Sequence, residues 1–208
     1  MLEHYGAEPL PLAEVVAMVG EGAPVLVRRA LTRAGFHSTT QTTRGGDPGV
    51  GPGVDDALAR FLKIYDRRLM DHTVAYPGIV ESLGLAVRRG PLAVLTNKPL
   101  GPSIGILEAL RLRGFFTRVI GGDSDYGRKP DPSGLLALQA LAPGQRLVMV
   151  GDSPVDYKAA INANCPFVFA RFGFGATKFS DGPPDTPFAI DHPRELDAVL
   201  GGVEALTP

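Results

Sequence analysis

The stretch Leu147-Val148-Met149-Val150-Gly151-Asp152-Ser153-Pro154-Val155-Asp156 runs four apolar residues into a glycine and then sets two carboxylates four positions apart. An unbroken apolar run ending at such a turn reads as a strand buried on both faces of a parallel sheet. The C-terminal end of such a strand is where open α/β sheets place their ligands. Asp152 falls at that tip. Ser153 suits the cap of the next helix, Pro154 its first position, and Asp156 its first turn, where the helix dipole favours a carboxylate. Taken alone, the stretch is either a metal site or an ordinary helix start, so the rest of the chain must decide.

Working outward, helix and strand patterns alternate from residue 77 to the end. Residues 79–89 read as a helix stopped by Gly90, and Pro91-Leu92-Ala93-Val94-Leu95 as a short apolar strand running into Thr96-Asn97-Lys98-Pro99. Helices are expected over 101–113, 132–142, 153–163 and 194–200, and further strands at Arg118-Val119-Ile120 and Phe167-Val168-Phe169-Ala170. Such alternation is the pattern of a parallel sheet covered by helices. Upstream the pattern is purely helical. Leu12, Val15, Val16 and Val19 recur at helical spacing, then Val25, Leu26, Ala30 and Leu31, then Leu58, Phe61, Leu62, Tyr65, Leu69 and Met70 behind Asp55-Asp56. Residues 39–54 are polar and glycine-rich and read as an exposed loop. The predicted organisation is a helical domain over residues 1–75 and an α/β domain over 76–208.

The bulk properties narrow the function classes. The 208 residues carry 21 Lys and Arg against 22 Asp and Glu, a formal net charge of −1. No basic block suggests a nucleic-acid or membrane surface. A single cysteine, Cys165, rules out an internal disulfide framework, and its apolar neighbourhood reads as core rather than nucleophile. No apolar stretch reaches the roughly 20 residues of a membrane span. A cytoplasmic protein, monomeric or homodimeric, is the expectation.

Three strand or loop ends carry chemistry: Thr96-Asn97, Gly151-Asp152 with Asp156, and Arg128-Lys129-Pro130-Asp131-Pro132. A hydroxyl and exposed N–H groups at a helix start suit an anionic oxygen group, and Lys129 brings a point charge to it. Asp152 and Asp156 offer the hard oxygen ligands that Mg²⁺ takes alongside phosphate and water. Converged, they form an electrostatic cradle for phosphoryl transfer.

In this order the three resemble the second, lysine and fourth motifs of the haloacid dehalogenase superfamily of phosphohydrolases. Met18-Val19-Gly20-Glu21-Gly22-Ala23, Tyr76-Pro77-Gly78 and Phe172-Gly173-Phe174-Gly175 are similar to stretches of its phosphoglycolate phosphatases. The resemblance implies a Rossmannoid, three-layer α/β fold with an all-helical cap. It implies that Thr96, Asn97 and Lys129 contact the phosphoryl group, with Lys129 and Thr96 catalytic. Asp152 would bind Mg²⁺, and Asp156 would support the metal site or orient Lys129. The substrate would be a small phosphorylated metabolite, most like 2-phosphoglycolate. The 20–22 turn and neighbouring arginines (Arg28, Arg29, Arg33) would face its other end, unless they are a solvated face. A sugar-phosphate mutase, a dehalogenase and a non-catalytic binding module stay open as alternatives.

One element of the family pattern is not found in these residues: an apolar strand ending in Asp-x-Asp-x-Thr, whose first Asp attacks phosphorus and whose second acts as acid and base. Asp123-Ser124-Asp125 has the spacing but follows the Arg118-Val119-Ile120 strand, sits just before Lys129 and lacks the Thr. The expectation is therefore a chain without its nucleophile, inactive as given. Its sheet would either show a gap or have neighbouring strands closed over the missing place.

Overall fold

The structure, a computed structural model, describes residues 1–36, 52–180 and 182–205. Most of the predicted 39–54 loop lies outside the described residues. The chain divides into two compact units, Met1–Asp71 and His72–Pro208.

Unit 1 is helical throughout its described residues: α1 (Leu12–Met18), α2 (Ala23–Arg33) and α3 (Val54–Arg67), after a 3₁₀ turn at Leu2–Tyr5. Gly20 and Gly22 take positive φ between α1 and α2, where a side chain would be strained. Val27 and Leu31, one turn apart on α2, pack with Ala57 of α3 and Leu2 in a small core. Leu69 and Met70, expected on the third helix's stripe, fall beyond its end at Arg67.

Unit 2 alternates as predicted: α4 (Ile79–Ala86), β1 (Leu92–Leu95), α5 (Leu100–Ala109), β2 (Phe116–Ile120), α6 (Ser133–Leu141), β3 (Met149–Gly151), α7 (Pro154–Asn162), β4 (Phe167–Ala170), β5 (Ala189–Ile190) and α8 (Leu196–Ala205). Every strand pair is parallel. Strand β4 shows why helices cover both sides. Val168 and Ala170 face a core built with Ala86, Ile190, Leu196 and Val203. Phe167 and Phe169 face the opposite core with Leu135, Met149, Ala159 and Ala160. The period of two in a strand divides one apolar run between two helical layers. Each phenylalanine so buried contributes about 1.5–3 kcal/mol. Cys165 packs at the edge of the second core, and burial pushes its thiol up to about 11, as suits an inert core thiol.

One expectation is corrected here. The opening stretch is not buried on both faces: β3 is confined to Met149–Gly151, and Val150 is 39% exposed. The sheet is also not continuous. Strands β1 and β2 form one sheet and β3, β4 and β5 another. Both facts have one cause. Among the described residues β1 pairs only with β2 and β3 only with β4, so each has one unpaired edge, and Val150 and Ala93 are exposed. The gap is one of the two outcomes expected from the sequence. Strand β5 escaped the sequence reading because two residues carry no periodicity to detect.

Candidate active site

The residues singled out from the sequence gather at the C-terminal ends of β1 and β3. Lys129 is the link. Its Nζ donates to the Leu95 carbonyl at the end of β1 (2.7 Å) and pairs with Asp156 Oδ1 beside the end of β3 (2.6 Å). Both side chains are withdrawn from solvent, 10% and 7% exposed. The loop that carries Lys129 is held by Asn97. The Asn97 amide donates to the Lys129 carbonyl (2.9 Å) and its Oδ1 accepts from the Lys129 N–H (2.8 Å). The Asn97 side chain thus spans the Lys129 backbone with one donated and one accepted hydrogen bond and positions that residue.

Thr96 stands one residue past the carbonyl that Lys129 holds. Its N–H donates to the Ile120 carbonyl (3.0 Å), continuing the β1–β2 ladder, and its Oγ1 accepts from the Lys98 N–H (3.1 Å). Gly121 and Gly122 pack against this turn so closely that a Cβ on Gly122 would stand 2.3 Å from the Asn97 carbonyl oxygen. Asp123 is absorbed structurally: its Oδ1 accepts from the Leu100 N–H (2.8 Å) at the start of α5.

At β3 the helix starts as expected, and the carboxylate in its first turn also reaches Lys129. Asp156 lies in the first turn of α7, after Ser153 and Pro154. Its Oδ2 accepts from the N–H groups of Asp152 (3.2 Å) and Ser153 (3.1 Å) and from Ser153 Oγ (2.6 Å). Burial alone would raise the Asp156 pKa, but the Lys129 charge and the Ser153 hydrogen bonds outweigh it and hold the group below its ordinary value. Both its oxygens are engaged within the protein, so Asp156 orients Lys129 and the 152–153 turn.

Asp152 differs. Its Oδ2 accepts from the Gly175 N–H (2.7 Å). Burial first, then the neighbouring Asp156 charge, raise its pKa, against the opposing pull of the Gly175 bond and Lys129. A partly desolvated carboxylate beside a like charge gains from a cation. The hard oxygen of Asp152 therefore fits a Mg²⁺ ligand, one of the one or two carboxylates that ion takes. The described residues hold no cluster of three or more His, Cys, Asp or Glu suited to a metal, so the remaining ligands would be waters, phosphate oxygens or groups outside them.

Gly173 and Gly175 pack against the Asp152–Ser153 turn, a placement that residue chemistry alone did not mark. A Cβ on Gly173 would stand 2.2 Å from Asp152 Cβ, and one on Gly175 would stand 2.7 Å from Ser153 Cβ. The closely spaced glycines of Phe172-Gly173-Phe174-Gly175 were the available signal. Gly173→Ala is expected to displace Asp152 and break its bond to Gly175. The check is the Gly175 amide proton: in the variant it exchanges faster and moves upfield, while an unchanged resonance would refute the packing.

In unit 1, Arg29 pairs with Glu21 (2.6 Å) and Arg33 with Glu14 (2.6 Å), both at exposed positions. This is the arrangement of a solvated face, where such pairs contribute about 0–1 kcal/mol.

Comparison with known proteins places this geometry. The haloacid dehalogenase-like hydrolase family matches residues 1–164. The chain is 33% identical over 208 residues to the phosphoglycolate phosphatase of Rhodobacter capsulatus, covering all of this chain and 87% of that protein. It is 36% identical over 182 residues to the phosphoglycolate phosphatase of Pseudomonas syringae pv. syringae, covering 84% of this chain and 61% of that one. In fold it resembles the crystal structure of a predicted phosphoglycolate phosphatase from Haemophilus somnus, with a TM-score of 0.79, 24% identity, and coverage of 96% of this chain and 86% of that one.

Proposed function

The chain belongs to the haloacid dehalogenase-like hydrolases, and on that premise we propose that it is a Mg²⁺-dependent phosphatase of a small phosphate monoester, most like 2-phosphoglycolate. The observation that carries this reading is Lys129 held between Leu95 and Asp156, which sets an ammonium between the ends of two strands. Relatives that bear the name phosphoglycolate phosphatase support the choice of substrate.

In this reading Lys129 neutralises the phosphoryl oxygens as their charge develops. The Thr96 hydroxyl and the backbone N–H groups of the turn orient the same group. Asp152 would hold Mg²⁺, which supplies Lewis-acid stabilisation of phosphoryl oxygens when bound. Asp156 and Asn97 keep Lys129 in place, and Asn97 lies beside Thr96 where it also contacts the phosphoryl group. The nucleophile is a carboxylate that these 208 residues do not supply, and with it hydrolysis proceeds through an aspartyl-phosphate. We assign the helical unit the role of a cap that excludes water from the reaction. No described helix is long and apolar enough to cross a membrane. We place the activity in the cytoplasm, where a lone thiol stays reduced.

The test compares the chain as given with a version extended by an apolar strand ending in Asp-x-Asp-x-Thr. Phosphate release from 2-phosphoglycolate is followed with and without Mg²⁺. The extended protein is expected to turn over and the original is not. Asp152→Ala in the extended protein removes activity. Robust turnover by the original chain refutes the absent nucleophile. An extended protein that folds yet hydrolyses no member of a phosphate-monoester panel refutes the phosphatase.

A further inference from the structure

The chain passes from unit 1 into unit 2 through residues 72–78, which form neither helix nor strand. Val74 stands exposed there, but the residues after it are fastened to the α/β unit at two points. The Tyr76 ring meets the Phe172 ring edge-on, with centroids 5.0 Å apart and planes at 69°. That is one of the arrangements two aromatic quadrupoles favour. Two residues on, Gly78 takes a φ of 83°, and the Arg194 and His192 side chains seat on it, at 2.9 and 3.0 Å from where a Cβ would stand. His192 Nδ1 accepts from the Arg194 N–H (3.1 Å), which keeps that pair in place.

Phe172 looks both ways. Its side chain packs against the core that holds Val168, Ala170 and Ile190. Its backbone leads into Gly173, whose N–H donates to the Ala170 carbonyl (3.0 Å) and closes a tight turn after β4. Gly173 lies flat against Asp152: a Cβ there would stand 2.4 Å from the carboxylate Oδ2. The same Oδ2 accepts from the Gly175 N–H (2.7 Å). The loop 172–175 therefore sets where the Asp152 carboxylate lies, and the first residue of that loop is the one Tyr76 touches.

Tyr76 is half-exposed, so its ring buries little surface for its size. What distinguishes it is place. It stands where the chain has just entered unit 2, and its one printed ring contact is with the residue that begins the Asp152 loop.

We propose that Tyr76 is a positioning residue for Asp152, acting through the edge contact with Phe172 and the 172–175 loop. The Tyr76 ring fixes the Phe172 ring, Phe172 fixes the start of the loop, and the loop fixes the carboxylate. The segment that joins the two units is thereby coupled to the metal-ligand turn, and a displacement at residue 76 is felt at Asp152. Its bearing on function rests on the reading of Asp152 as the Mg²⁺ ligand; the coupling itself needs no metal.

The experiment uses the full chain and has a metal-free arm and a metal arm. Without metal, the Gly175 amide reports the bond to Asp152. Tyr76→Ala is expected to speed its exchange about three- to tenfold, the span an edge-on aromatic pair supplies, and to move its resonance upfield. Tyr76→Leu, which keeps apolar bulk without a ring edge, does the same and guards against a folding defect in the alanine variant. Tyr76→Phe keeps the ring and restores the parent behaviour. Val80→Ala, at an exposed position on α4, leaves Gly175 unmoved. In the second arm Mn²⁺ stands in for Mg²⁺, and its paramagnetic broadening of the Ser153 and Gly175 amides measures affinity. Tyr76→Ala weakens it about two- to tenfold, no more than loss of a direct outer-shell partner would. A Gly175 amide unmoved by Tyr76→Ala and Tyr76→Leu, or moved as much by Val80→Ala, overturns the coupling. Failure of Tyr76→Phe to restore it overturns the route through the ring edge. Absence of broadening at these amides in the parent refutes Asp152 as a metal ligand, a separate failure, since the metal-free arm decides the coupling by itself.

Discussion

Replacing Lys129 with methionine lowers the unfolding free energy by about 3–5 kcal/mol, the cost of stripping a buried carboxylate of its ionic partner. The reason is local. Asp156 keeps the three donors on Oδ2 when Lys129 is lost, but its Oδ1 and the Leu95 carbonyl each lose a partner inside the protein. Asp156→Ala costs at least as much. It leaves the ammonium unpaired and also abandons the N–H groups of Asp152 and Ser153. The double variant Lys129→Met, Asp156→Leu removes both charges and is less damaging than the two single losses added, with a coupling of about 0.5–3 kcal/mol. Urea unfolding followed by circular dichroism measures all three. There is a second consequence, peculiar to a divided sheet. Lys129 ties the two sheets at their C-terminal ends, so amide exchange at 92–95 rises in Lys129→Met more than in a variant of equal stability cut in the α7 core. Additive single effects below about 1 kcal/mol would mean that the pair is solvated in solution.

Gly122→Ala is expected to be the costliest single methyl group in the molecule, at about 3 kcal/mol or more. The added Cβ meets the Asn97 oxygen at 2.3 Å, its carbonyl carbon at 2.6 Å and its Cα at 2.9 Å. All three are backbone atoms, which cannot swing aside as a side-chain tip would. The turn they belong to is buried, since Asn97 is 7% exposed, and Gly122 itself donates to the Lys98 carbonyl at 2.8 Å. Relief requires moving the Asn97 turn, and with it the two hydrogen bonds that hold the Lys129 loop. Stability and the placement of Lys129 therefore fail together. Gly84→Ala is the matched control. Gly84 lies inside α4 with nothing within 4 Å of the new methyl, so the change stabilises by about 0.5–1 kcal/mol through helix propensity and a less flexible unfolded chain. Thermal melts of the two variants beside the parent decide the matter. A neutral Gly122→Ala would show that the 96–98 turn is far looser than its packing implies.

The local features of the site were legible because local chemistry dictates them. Ser153, Pro154 and Asp156 begin α7 by capping rules that operate within four residues. The run Pro91–Leu95 became β1 from Leu92 onward, and Phe167–Ala170 became β4 with the predicted bounds. Continuous apolar character over such a length leaves few other places for a chain to go. Boundaries slipped where tertiary packing rather than residue type ends an element. The helix expected to reach residue 89 stops at Ala86, three residues before Arg89 turns to Asp197 and Glu204 on α8.

The family resemblance implied that Thr96, Asn97, Lys129, Asp152 and Asp156 come together; the sequence by itself determined the alternation of helix and strand in unit 2, the helical character of unit 1 and the helix start after Asp152. These last follow from periodicity and capping. Only the tertiary structure decided what each residue does there. Asn97 grips the backbone of a loop 32 positions away, Lys129 reaches a carbonyl 34 positions back, and Gly175 holds a carboxylate 23 positions before it. Contacts at such separations leave no periodic trace, since they depend on which strands lie side by side. The same holds for Val150. Its residue type suits a buried strand, but burial comes from neighbours, and β3 has a neighbour on one side only.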